Sequence, residues 1–78
     1  MVNLKETLTD IAKAIVDSPD EVVVTEAETE HEITFTLTVA PDDMGMVIGR
    51  HGKIAKAIRT VIKAAAMSCN KRVNVDIR

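Results

Sequence analysis

The chain has no tryptophan and no tyrosine, and its 78 residues include one phenylalanine, one cysteine, three glycines and two prolines. Each shortage closes off a class of molecule. With a single phenylalanine there is no platform on which nucleic-acid bases could stack one after another. A single cysteine, Cys69, rules out an intrachain disulfide, which fits a reducing cytoplasmic setting. One cysteine and two histidines are too few for a structural zinc site, so neither a metal nor another cofactor is expected. No apolar run approaches the roughly 20 residues that span a bilayer, so no membrane insertion is expected. The opening MVNLKETLTD lacks the basic and apolar regions of a signal peptide.

Acidic residues are also missing, but only from one half. Residues 44–75 contain none, and Asp76 is the single acid after position 43. Against it stand eight cations, a net of +7 for residues 44–78. Residues 1–43 hold eleven acids and only Lys5 and Lys13 as cations, a net of -9. The overall -2 therefore hides one face suited to a polyanion. Two merely solvated surfaces are the plainer alternative.

What is present reads as one domain of ordinary globular hydrophobicity, 46%. Asn3 followed by Glu6 resembles a capping box, and Leu4, Leu8, Ile11 and Ile15 then mark one helical face over about 3–17, ended by Ser18-Pro19. EVVVTEAE, near 21–28, reads as a strand. HEITFTLTVA alternates Ile33, Phe35, Leu37 and Val39 with Thr34, Thr36 and Thr38, a half-buried strand with a wet face and Phe35 in the core. After Pro41, Asp42 or Asp43 can cap a short helix through Met46-Val47-Ile48, with Gly49 as a left-handed stop. A longer helix follows over about 53–68. On its wheel Ile54, Ile58, Val61, Ile62, Ala65 and Cys69 share one arc, and Lys53, Lys56, Arg59 and Lys63 another. The last segment, VNVDIR, is a third strand. The first two strands form an antiparallel hairpin. The two-helix crossover then makes the third strand parallel to the second.

The densest signal is VIGRHGKIAKAIRTVIK, residues 47–63. Gly49-Arg50-His51-Gly52 is a G-x-x-G loop between two helices, where backbone N–H groups and a helix start favour an anion. It is not a P-loop: Ile54 follows Gly52-Lys53, and Val47 stands where the first glycine would be required. Catalysis has little support. Cys69 falls on an apolar arc, His31 begins a strand, and no nucleophile or orienting carboxylate is near His51 in sequence. No enzyme is expected.

With its flanking strands, VIGRHGKIAKAIRTVIKAAA resembles the core of a KH domain. The α-β-β-α-α-β order is similar to the type II form, an α+β fold with a three-stranded mixed sheet and three helices on one face. Over the whole chain the likeness is to the bacterial single-KH proteins of the KhpA (YlqC) family. That resemblance implies a single-stranded RNA-binding protein whose G-x-x-G loop clamps the backbone of about four nucleotides. It implies a role as RNA chaperone or post-transcriptional regulator, linked to cell envelope growth and cell shape. At matching positions the clamp is Gly49, Arg50, His51 and Gly52. Val47, Ile48 and Ile54 would line the base groove, with a residue of the second strand as the far wall. Lys53, Lys56 and Arg59 supply further charge from the basic arc. The resemblance also implies a homodimer, or a heterodimer with a larger KH-containing RNA-binding partner of the KhpB (Jag-like) kind. A protein-interaction module that reads little RNA is the competing expectation. The loop has one permanent cation where two basic or polar residues are common, and Met46 stands where a basic residue is frequent.

Overall fold

The computed structural model describes residues 3–67 and 70–78. Helix α1 runs Leu4–Ile15, strand β1 Val23–Glu28, β2 Glu32–Thr38, the short α2 Met44–Ile48, α3 Lys53–Ala65, and β3 Arg72–Ile77. The order α-β-β-α-α-β is the expected one. The sheet order is β1-β2-β3, antiparallel between the first pair and parallel between the second. The crossover therefore leaves β3 on an open edge and β2 in the centre.

Local chemistry explains the boundaries. The Glu6 N–H donates to Asn3 Oδ1 at 3.1 Å, so Asn3 caps α1. The helix ends at Ile15, two residues short of the expected stop. A 3-10 turn, Pro19–Glu21, then uses proline's fixed φ and delays β1 to Val23. In β2 the alternation holds: Ile33, Phe35 and Leu37 are buried, while Thr34, Thr36 and Thr38 face away. Val24, Val73 and Val75 extend the buried face across the sheet. Helix α1 packs on β1 and on α3, and α3 packs on β3. Leu8, Leu37, Ile62 and Val47 close the core, each worth about 1.5–3 kcal/mol of apolar burial.

Two expectations change. Neither aspartate caps α2 with its side chain. Asp43 turns inward instead. Only 3% exposed, its carboxylate accepts the Ser18 N–H at 2.9 Å, tying the turn after α1 to the start of α2. The buried face of α3 is also rotated from the expected arc. Ile58 and Ile62 are buried as expected, but Ile54 and Val61 are 38% and 49% exposed, and Ala55 and Ala66 are buried. Small residues let the helix sit close to its neighbours, which a wheel weighted by large side chains does not register. Cys69, assigned to the same arc, lies outside the described residues.

Candidate nucleic-acid interface

The loop at Gly49–Gly52 is built from backbone conformations that few residues adopt. Gly49 stops α2, its N–H bonded to the Gly45 carbonyl at 2.8 Å. Its φ of 74° with ψ of 173° is a region confined to glycine, not the left-handed helical stop expected from sequence. The side of Ile54 explains the lack of a Cβ. An added methyl would sit 2.8 Å from Ile54 Cβ and 2.9 Å from its backbone nitrogen, and against its Cγ1. The left-handed residues are His51 (φ 59°, ψ 24°) and Gly52 (φ 74°, ψ 15°). Histidine is among the side chains found there more often than most.

These turns leave Arg50 and His51 exposed at the tip. They open the 3-10 turn that leads into α3, so their N–H groups have no intrahelical acceptor. Exposed Lys53 and Lys56 continue the positive surface along α3, and Ile48 and Ile54 flank the loop as partly exposed apolar side chains. Val47 does not join them. It is 0% exposed, so it supports the loop from within the core and cannot line a groove.

Arg59 is placed elsewhere. Its Nε donates to the Val75 carbonyl on β3 at 3.2 Å. Two adjoining clefts of about 370 and 390 Å³ run between α3 and β3, sharing Lys63 and Asn74. The first adds Lys71 and Arg72, the second Arg59, Val75 and Thr34. β3 lines both clefts beside α3, and the second strand gives only Glu32 and Thr34, so that Glu32 and Asp76 set two acids into the second cleft. Lys63 and Arg72 were not among the expected site residues. Lys63 was legible as part of the basic arc, but nothing local in sequence reveals that Arg72 faces it. Lys71 is held back, paired with Glu28 and bonded to the Thr29 carbonyl.

A family model described as KhpA/KhpB, KH domain, matches residues 5–77. The chain is 61% identical to the RNA-binding protein KhpA of Clostridium acetobutylicum over 74 residues, 95% of this chain and 99% of that protein. The KhpA of Clostridium perfringens is 54% identical over the same shares. That of Listeria monocytogenes is 42% identical over 95% of this chain and 97% of its own length.

Proposed function

From membership of the KhpA/KhpB KH-domain family, to which this chain belongs, we propose that it binds single-stranded RNA in the cytoplasm. The Gly49–Gly52 loop clamps the sugar-phosphate backbone. The carrying observation is the loop itself: exposed Arg50 and His51 on a glycine-shaped tip, leading into a helix with no acid beside it. Backbone N–H groups and Arg50 meet phosphate, Lys53 and Lys56 extend the contact, and Ile48 and Ile54 offer apolar surface to bases. A binder of this kind, with no base-stacking platform, suits an RNA chaperone or post-transcriptional regulator. By likeness to KhpA proteins its cellular role is in envelope growth and cell shape.

The test is crosslinking to RNA in cells. Replacing Arg50 and His51 together by Asp is expected to abolish crosslinking while the thermal melt stays within a few degrees. Both side chains are exposed, and aspartate tolerates the left-handed angle at position 51. Unchanged crosslinking in the folded variant would remove the clamp. A clamp on about two to four phosphates also gives a log–log salt slope of about -1.4 to -2.8.

One observation favours a second role beside the first. Val61 and Met67, on α3 and just past its end, are 49% and 85% exposed, and Ala57 and Ala64 are exposed on the same face of the helix as Val61. Such a stripe suits a homodimer, or a heterodimer with a larger KH-containing partner. Light scattering should show a dimer that Val61→Asp converts to monomer. If that variant loses dimerisation and RNA crosslinking together, assembly is needed for binding.

A further inference from the structure

Resting on the single-stranded RNA reading above, we infer that Asp43 is a positioning residue for the Gly49–Gly52 loop. Its bond to the Ser18 N–H sets the orientation of α2, and through it the affinity for RNA, without touching the ligand. Helix α2 has five residues, Met44–Ile48. A helix so short does not hold its own direction and depends on what it packs against. One of its residues, Val47, is buried, and Met44 is partly buried against the core. Apolar burial is non-directional and methionine adapts its shape, so this seat lets the helix turn about Val47.

Hydrogen bonds are directional, but those within 41–52 are local. The Asp43 N–H donates to the Ala40 carbonyl at 2.8 Å, the Gly49 N–H to Gly45 at 2.8 Å and the Gly52 N–H to Gly49 at 3.2 Å. Among the described residues, a single hydrogen bond ties this segment to a distant part of the chain. It runs from the Ser18 N–H to Asp43 Oδ2, at 2.9 Å. Asp43 is 3% exposed, and no cation pairs with it among the described residues. A buried carboxylate with one neutral donor is a poor source of stability, because its lost hydration is costly. It is a good locator, because the bond holds only over a narrow range of distance and angle. The bond acts at the N-terminal end of α2. The loop leaves the other end, about 9 Å further on at about 1.5 Å per residue. A tilt at Asp43 is therefore carried to Arg50 and His51. Binding groups held to within about 0.5 Å lose affinity when their support loosens.

The sign of the effect separates position from charge. Removing an anion strengthens attraction for RNA, so electrostatics alone makes Asp43→Ala bind more tightly. Lost positioning makes it bind more weakly. Fluorescence anisotropy on the full chain with a single-stranded RNA octamer, below the melting range of each variant, should show Asp43→Ala about tenfold weaker than wild type. Asp43→Asn, whose Oδ1 accepts the same N–H, should stay within about twofold. Val24→Ala opens a cavity under β1 as a control for lost stability, and should also stay within about twofold. In the RNA-free chain, the amides of 49–53 should shift further in Asp43→Ala than in Asp43→Asn. Reciprocity adds a measurement on the unmodified chain, which decides even where the alanine variant fails to fold. RNA that prefers the bonded form must favour it, so saturating octamer should slow hydrogen exchange at the Ser18 amide by about threefold more than at the Val22 amide of the same turn. The inference is overturned if folded Asp43→Ala binds as tightly as wild type or more so, if it loses no more than Val24→Ala, or if RNA leaves Ser18 exchange unchanged. If the wild type binds no octamer while the loop amides still move in RNA-free Asp43→Ala, the RNA reading fails and the positioning stands.

Discussion

The two edges of this sheet face the same hazard and meet it in opposite ways. On β1, the Thr29 N–H to Glu32 carbonyl bond at 2.7 Å and the register turn the backbone groups of Val24, Glu26 and Glu28 outward. Glu26 and Glu28 are exposed there, and carboxylates along an edge discourage both strand addition and a polyanion. On β3 the outward groups lie beside clefts in which Arg59, Lys63, Lys71 and Arg72 outnumber the acids Glu32 and Asp76. One edge is shielded by negative charge. The other is left accessible to a negatively charged ligand. The difference shows that the charge split along the chain is a spatial device: it gives a nearly neutral protein one side that RNA can approach.

The sharpest break in that contrast is structural. The basic side hangs on Gly49, whose replacement by alanine combines a forbidden backbone region with overlap on Ile54. Denaturant unfolding should show a loss of about 3 kcal/mol or more. Gly52→Ala meets nothing within 4 Å and should lose only about 1 kcal/mol. On the acidic side Asp43 is the buried carboxylate among the described residues. Asp43→Ala leaves the Ser18 N–H without its acceptor and should cost about 2 kcal/mol in the same assay. Its exposed acidic neighbours should cost almost nothing.

Charge reversal addresses the edges themselves. Lys63→Glu with Arg72→Glu should lower affinity for a single-stranded octamer at least about tenfold. Glu26→Lys with Glu28→Lys should raise it no more than about threefold, because β1 lines neither of the two clefts. Equal and opposite effects would mean that net charge alone governs binding. The smallest effect belongs to the one ion pair that joins the two halves among the described residues. Lys71→Ala removes the partly exposed Lys71–Glu28 pair and should change stability by about 0.5 kcal/mol.

The parts of this fold that depend on neighbours in sequence were legible from it. Asn3 capped its helix, threonines alternated with buried residues in β2, and two glycines three apart marked the loop. What was not legible depends on distant partners. Asp43 reads as a helix cap until Ser18 is brought to it across the fold. Val47 reads as groove lining because its neighbours are exposed, yet the short α2 has to bury one face. Arg59 reads as one more cation of α3 until the crossover places β3 beside it. The exposed Ile54 and Val61 follow from the close packing that Ala55 and Ala66 allow.

The claim that RNA is held by the loop and the β3 side is tested most directly by amide chemical shifts. The labelled chain is titrated with a single-stranded RNA octamer. Binding as described predicts shifts at 49–53 and at Val73, Val75 and Ile77, with 23–28 unmoved. Shifts concentrated on β1, with the loop silent, would contradict it.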